Sequence, residues 1–295
     1  MTGIVRIGLS GWTYAPWRGV FYPKGLPRKA ELAFAAARFS AIEINGTFYS
    51  LQRPESFGRW RDETPEDFMF AVKGPRFITH MLKLRDAETA LANFFASGLL
   101  RLGPKLGPIL WQFPPRMAFD MDRFESFFKQ LPRTTEAALA LARRHGPRVS
   151  DRSWLHVEAD QHIRHAVEIR HDSFRTPAFV ELLREHDIAL VCADTVDWPL
   201  LTDLTADFIY CRLHGSQELY VSGYDAKSLD HWARLVRAWR QGEDPPGKDR
   251  ILPRGPTRGG GRDVFVFFDN DAKVRAPLDA AELIRRVGSD TPLAG

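Results

Sequence analysis

Three pairs of polar residues, each pair spaced two positions apart, stand at the ends of short apolar runs in this chain of 295 residues. The pairs are Glu43 with Asn45, Glu168 with Arg170, and Arg212 with His214. Because side chains alternate between the two faces of a strand, the members of each pair share a face. Carboxylates, guanidinium groups and an imidazole on one face can bind an anion, bind a metal or transfer a proton.

Further polar and aromatic residues follow the other apolar runs. They stand at the end of a run or in the loop after it: Trp12, Tyr14, Lys73, His80, Gln112, Asp194, Tyr224, Asp269 and Asn270. Aromatic faces beside charged groups suit sugars or nucleobases. We therefore expect these residues to bind a ligand, with His214, Glu168 and Asp194 as the candidates for catalysis.

Eight apolar runs that carry these residues read as β-strands separated by helical patterns. The predicted strands are Ile4–Leu9, Ala41–Ile44, Met69–Val72, Pro108–Gln112, Ala166–Ile169, Ala189–Ala193, Phe208–Leu213 and Val264–Phe268. Alternating strands and helices are typical of a parallel α/β fold, and a count of eight favours a closed (β/α)₈ TIM barrel. In such a barrel the carboxyl ends of all strands meet at one mouth, so the polar residues should converge there.

Two segments are longer than ordinary barrel connections. Thr134–His162 lies after the fourth strand–helix unit, and Gly242–Arg262 lies before the last strand. The second is dense in Gly, Pro and Arg, which predicts a mobile, exposed loop. Without both segments about 245 residues remain, the usual size of this barrel. We expect one domain over residues 1–295.

Composition excludes several classes of protein. The chain is 44% hydrophobic and 26% charged, as soluble globular proteins are, and two cysteines exclude a disulfide scaffold. We expect Cys192 and Cys211 on opposite faces of the barrel wall, because Asp194 and Arg212 are both predicted to point inward. No apolar stretch approaches the ~18 residues of a membrane span, and no signal peptide is evident, which predicts a cytoplasmic protein without a membrane partner.

The motifs at the strand ends resemble those of the YecE-like family, a TIM-barrel group also called domain of unknown function 72. They include GLSGW (8–12), EIN (43–45), TFY (47–49), QFPP (112–115), EIRH (168–171) and RLHG (212–215). The resemblance implies a barrel with a polar site at its carboxyl end and no established reaction. The family usually has two adjacent asparagines after the last strand, whereas Asp269 precedes Asn270 in this chain and adds a negative charge.

The leading hypothesis for function is binding of a small anionic ligand, with phosphate as the first choice and nucleic acid as a larger candidate. Lys73, Arg170 and Arg212 would hold phosphate oxygens, and the net charge of +4 permits such a ligand. In an enzyme, His214 would transfer the proton, with Glu168 or Asp194 selecting its tautomer. A divalent metal is a weaker prediction, because no HxH or HExxH spacing occurs.

Two alternatives remain open. Glu43 and Glu168, three strands apart, could flank a bond as the paired carboxylates of a carbohydrate or small-metabolite enzyme do. Against this, the neighbouring cations would keep both carboxylates ionised, whereas a general acid needs a raised pKa. The other alternative is a binding module without turnover. The sequence determines neither the substrate nor the cofactor nor the oligomeric state.

Overall fold

The strands close into a parallel eight-stranded barrel in a computed structural model that describes residues 2–215, 222–247, 249–253, 260–271 and 273–288. They follow one another around the barrel in chain order, and β8 pairs with β1. The strands are β1 Val5–Ser10, β2 Ala41–Ile44, β3 Met69–Lys73, β4 Leu106–Gln112, β5 His165–Glu168, β6 Ala189–Asp194, β7 Phe208–Leu213 and β8 Asp263–Phe268. The predicted (β/α)₈ barrel is confirmed, and strand boundaries differ from the prediction by no more than two residues.

Helices cover the outside of the barrel. They are α1 Glu31–Ala36, α2 Gly46–Tyr49, α3 Pro54–Asp62, α4 Glu88–Ala96, α5 Met121–Gln130, α6 Thr135–Ala142, α7 Pro177–Glu185, α8 Ala226–Arg240 and α9 Arg275–Val287. The helix α3 has the mostly polar sequence PESFGRWRD and buries Pro54, Phe57 and Gly58. Residues 195–207 between β6 and β7 carry no helix. No helix within the described ranges has the length and apolar character needed to cross a bilayer.

Alternation along the strands divides the core into two layers. One layer fills the barrel interior with small residues beside large aromatic ones: Ala41, Ala71, Ala166, Ala189, Ala193, Phe208, Phe265 and Phe267. The other layer packs the outer strand faces against the helices. A polar layer lies above this apolar interior. The inward-facing positions of neighbouring strands stay in register up to their carboxyl ends, where they carry polar residues.

The two cysteines do not face opposite sides of the wall, so that prediction is wrong. Cys192 and Cys211 are direct partners in the register of β6 with β7, and both are buried free thiols in the outer core. The inward residues of β6 are Val191 and Ala193, which pair with Tyr210 and Arg212. The expectation for Cys192 depended on an inward Asp194, and the register reverses that assignment.

The two long segments differ in character. Thr134–His162 contains α6 and is closed at its ends by an antiparallel bridge between Thr134 and His162. Within Gly242–Arg262 the described residues make two sets of contacts: Arg250 pairs with Asp244 inside the segment at 2.5 and 2.8 Å, and the backbone N–H groups of Ile251 and Leu252 donate to the carboxylate of Asp203. Residues 248 and 254–259 of the predicted loop lie outside the described residues.

Candidate active site at the barrel mouth

A layer of inward polar side chains lies at the carboxyl end of the barrel. It comprises Ser10, Glu43, Lys73, Gln112, Glu168, Arg212 and Asp269, each 9% exposed or less. The register explains their convergence, because Glu43 pairs with Ser10 and Ala71, and Glu168 pairs with Gln112. Alanine takes the equivalent place on β6, where Ala193 pairs with Arg212. The structure therefore brings charged groups from most of the strands into one mouth.

Arg212 is the centre of this layer. Its Nε and Nη2 donate to the two carboxylate oxygens of Glu43 at 3.0 and 2.9 Å, and Nη1 donates to Glu168 Oε2 at 2.5 Å. Nη2 also lies 2.8 Å from Asp269 Oδ2. Three buried carboxylates thus surround one buried guanidinium group, so Arg212 is neutralised by the protein itself and is not available to a ligand.

Glu168 is held ionised in the same network. Its Oε1 accepts from Gln112 Nε2 at 2.8 Å and from Arg170 Nε at 2.8 Å. Burial favours the neutral acid, but the guanidinium groups of Arg212 and Arg170 hold the pKa of Glu168 well below its usual value. Glu168 and Glu43 accordingly serve as counter-ions of arginine, an environment that does not suit the general acid of a carboxylate pair.

His214 lies between two carboxylates. Its Nδ1 is 3.1 Å from Asp269 Oδ2, and its Nε2 is 3.8 Å from Glu168 Oε2. Burial favours the neutral ring, but the nearby carboxylates of Asp269 and Glu168 outweigh it and raise the pKa of His214. Trp198 lies beside the imidazole, with ring centroids 6.2 Å apart, and stacks on the guanidinium of Arg170 at 4.1 Å. The imidazole is therefore protonated more readily than a free histidine.

Lys73 differs from the other charged groups of the mouth. Its side chain is buried, and among the described residues its ammonium group has neither an ion pair nor a hydrogen bond. Its contact is with the face of Phe48, 4.4 Å from Nζ to the ring centroid. Burial and the nearby positive charge of Arg212 lower the pKa of Lys73 to about 8. The amine is thus a cation at neutral pH and has no directly contacting counter-ion in the described part of the chain.

Asp271 joins the mouth although it is absent from the residues predicted above. Its Oδ1 is buried and has no hydrogen-bond partner in the described part of the chain. Burial and the negative charge of Asp269 raise the pKa of Asp271 to about 8. The alternation that groups Glu43 with Asn45 also groups Asp269 with Asp271, so the residue could have been found by extending that rule beyond β8.

Asp194, a predicted catalytic residue, does not enter this layer. Its side chain points outward from β6 and accepts from Trp232 Nε1 of α8 at 3.0 Å. The prediction that Asp194 selects the tautomer of His214 is therefore corrected: Asp269 occupies that position. The parity of β6 is responsible, because Ala193 rather than Asp194 faces the interior.

Two other predicted residues fasten loops at the mouth. The Nδ2 of Asn270 donates to the Ser222 carbonyl at 3.1 Å and to Asp279 Oδ2 of α9 at 2.8 Å. The hydroxyl of Tyr224 accepts from Gly215 N at 3.2 Å, and its backbone N–H donates to the same Asp279 carboxylate. These contacts tie the ends of β7 and β8 to α9, which gives both residues a positioning role.

The remaining predicted residues lie at the edge of the mouth. His80 follows β3, with its ring edge-on to Phe48, and burial together with the charge of Arg170 lowers the pKa of His80 to about 4. Trp12, Tyr14 and Asn45 line a separate cleft beside the mouth. The described residues contain no group of three His, Cys, Asp or Glu side chains placed to hold a metal ion.

A model of the family described as "Protein of unknown function DUF72" matches residues 6–294. UPF0759 protein YecE of Escherichia coli (strain K12) is 32% identical over 111 residues, which are 38% of this chain and 38% of that protein. UPF0759 protein YunF of Bacillus subtilis (strain 168) is 29% identical over 117 residues, 38% of this chain and 40% of that protein. The matched part thus spans less than half the length of these curated relatives.

Solved structures share the fold along nearly the whole chain. A DUF72 family protein from Thermotoga maritima has a TM-score of 0.70 at 24% identity, covering 96% of this chain and 98% of that chain. A DUF72 family protein from Enterococcus faecalis has a TM-score of 0.69 at 16% identity, covering 99% and 98%. At these identities the similarity shows the barrel fold.

Proposed function

The chain belongs to the DUF72 family, and from the site itself we propose that the barrel mouth binds an anionic, phosphate-containing ligand through Lys73. The observation that carries the proposal is the ammonium group of Lys73, which ends a buried side chain and has no direct counter-ion among the described residues. Burying an unpaired charge is costly, and proteins normally pair such a group. A phosphate oxygen would supply the missing partner.

The charges around Lys73 favour an anion over a metal ion. Four basic groups, Lys73, Arg170, Arg212 and His214, stand beside three carboxylates, which pair with the arginines rather than with Lys73. Asp271, with a pKa of about 8, is protonated at neutral pH. Those carboxylates already hold Arg212, so none is left to coordinate a cation. Lys73 is therefore the cation that is available to bind an anion in the mouth.

The test is titration calorimetry with inorganic phosphate and sulfate, comparing the parent protein with Lys73→Met and with Lys24→Met. The Lys24 side chain is exposed and has no ion pair or hydrogen bond among the described residues, so it controls for the loss of one positive charge. We expect Lys73→Met to weaken binding at least about 10-fold, the usual contribution of a charge-assisted hydrogen bond. Equal affinity of Lys73→Met and the parent protein would refute the proposal.

A second candidate function, cleavage of a carbohydrate bond, gains support from Asp269 and Asp271. Their environments separate the pKa values of two neighbouring carboxyl groups: Arg212 and His214 overcome burial to lower that of Asp269, while that of Asp271 is raised to about 8. Glycosidases use such a pair, in which the protonated carboxyl group is the general acid and the ionised carboxylate is the nucleophile or base. A screen of aryl glycosides tests this function. Any turnover should fall about 10²-fold or more in Asp271→Asn, and a fully active Asp271→Asn variant would refute it.

A further inference from the structure

We propose that the cleft beside the barrel mouth is a second binding site, which takes a planar aromatic ring bearing a phosphate group, as in a nucleoside monophosphate. The cleft encloses about 760 Å³, within the range of small-molecule pockets. It lies between the loops that follow β1 and β2 and the helix α3. The site goes beyond the proposed function, because Lys73 does not line it.

Two tryptophans give the cleft an aromatic wall. Trp12 and Trp60 meet edge to face, with ring centroids 5.4 Å apart and an angle of 83° between the planes. Trp60 also packs against Phe57, which is fully buried, with ring centroids 5.2 Å apart. Both indoles are only partly buried, so ring surface remains open to the cleft. A fixed indole is a stacking platform for a planar ring.

Three cations form the rim of the same cleft. Arg28, Lys29 and Arg59 line it and are exposed, and within the described ranges none of their side chains has an ion pair or hydrogen bond. By contrast, the neighbouring Arg61 of α3 is neutralised by an ion pair with Glu158 at 2.8 Å. Glu63 is the acidic residue among those lining the cleft. The excess of positive charge favours a phosphate group on the ring-bearing ligand.

Asn45 adds a polar anchor at the inner end of the cleft. Its Oδ1 is buried and has no hydrogen-bond partner among the described residues. A buried amide oxygen without a donor is uncommon, because the unmade bond costs free energy. A ring amino group or a sugar hydroxyl of the ligand would supply that donor. The cleft thus offers stacking, charge and one acceptor, the three contacts that a nucleoside monophosphate needs.

The test is a titration with adenosine monophosphate, followed by tryptophan fluorescence and by calorimetry. Arg59→Gln and Lys29→Gln change exposed side chains, and each should weaken binding about 5-fold through loss of a charged contact. Trp60→Leu should weaken it about 10-fold through loss of stacking, and Trp60→Phe should restore most of the affinity. Lys24→Gln, which removes an exposed cation outside the cleft, should leave binding unchanged.

Lys73→Met separates this proposal from the one for the mouth. We expect adenosine monophosphate to bind Lys73→Met as tightly as the parent protein, and sulfate to bind Arg59→Gln as tightly as the parent. The cleft site would be overturned if Arg59→Gln and Lys29→Gln bound adenosine monophosphate as tightly as the parent protein. It would also be overturned if Lys73→Met lost as much affinity for adenosine monophosphate as those two variants. Absence of adenosine monophosphate binding to the parent protein would overturn it as well, while leaving the sulfate result untouched.

Discussion

Arg212 and Glu43 form a bidentate ion pair across the barrel mouth, with Nε 3.0 Å from Oε2 and Nη2 2.9 Å from Oε1. The side chains are 1% and 0% exposed. The planar fork of the guanidinium matches the carboxylate, so this pair fixes the orientation of Arg212. From that orientation the same group reaches Glu168 and Asp269, and β7 is thereby linked to β2, β5 and the end of β8.

Loss of this guanidinium should be strongly destabilising. Arg212→Met leaves three buried carboxylates without their shared cation, and we expect the free energy of unfolding to fall by about 3–5 kcal/mol. Denaturant unfolding followed by circular dichroism measures the change. Arg164→Met is the control, since Arg164 pairs with Asp263 and Asp207 at a more exposed position and should cost about 1 kcal/mol or less. Equal costs for the two variants would contradict the central role of Arg212.

Stability should fall in acid because of Glu168. Its pKa is lower in the folded protein than its ordinary value of 4.5, so the ionised form stabilises the fold above about pH 4.5. That stabilisation is lost as the pH falls below 4.5 and through the folded-state pKa. Asp269, whose pKa is also lowered, acts in the same direction. Unfolding curves from about pH 7 to about pH 3 should show a shallower decline for Glu168→Gln than for the parent protein. Parallel curves would refute the assignment.

The imidazole of His214 should titrate above its ordinary pKa of 6.5, because Asp269 and Glu168 stabilise the charged ring. Replacing Asp269 with asparagine removes the nearer carboxylate and should lower the pKa of His214. Histidine ring signals in NMR titrations measure both values. Asp271→Asn is the matched control, since no ion pair joins Asp271 to His214 among the described residues. A parent value below 6.5 would contradict the geometry.

Sulfate binding should depend on the protonation of Lys73. The pKa of Lys73 in the unliganded protein is lowered to about 8, so affinity should decline as the pH rises through that value. Sulfate keeps its own charge over neutral and alkaline pH, which assigns the effect to the protein. Calorimetric titrations at several pH values measure it, and Lys73→Met should show weak binding with little pH dependence. A pH-independent affinity in the parent protein would exclude Lys73 as the anion contact.

The local pattern of the sequence predicts the barrel and much of its mouth. Short apolar runs separated by helical patterns identify the eight strands, because backbone periodicity is a local property. The two-residue spacing of Arg212 and His214 likewise places both on one face of β7, and the structure finds both in the mouth. Such an inference needs no knowledge of the partner strands.

The tertiary structure alone decides which face is inward and which charges meet. Alternation sorts the residues of β6 into two sets, but the register with β7 turns Ala193 inward and Asp194 outward. Sequence spacing also makes Lys73 and Arg212 equal candidates for binding an anion. Barrel closure brings three carboxylates onto Arg212 and leaves Lys73 over Phe48, because those contacts join strands far apart in the chain. Pairing of buried charges depends on distances of a few ångströms, which only the closed barrel sets.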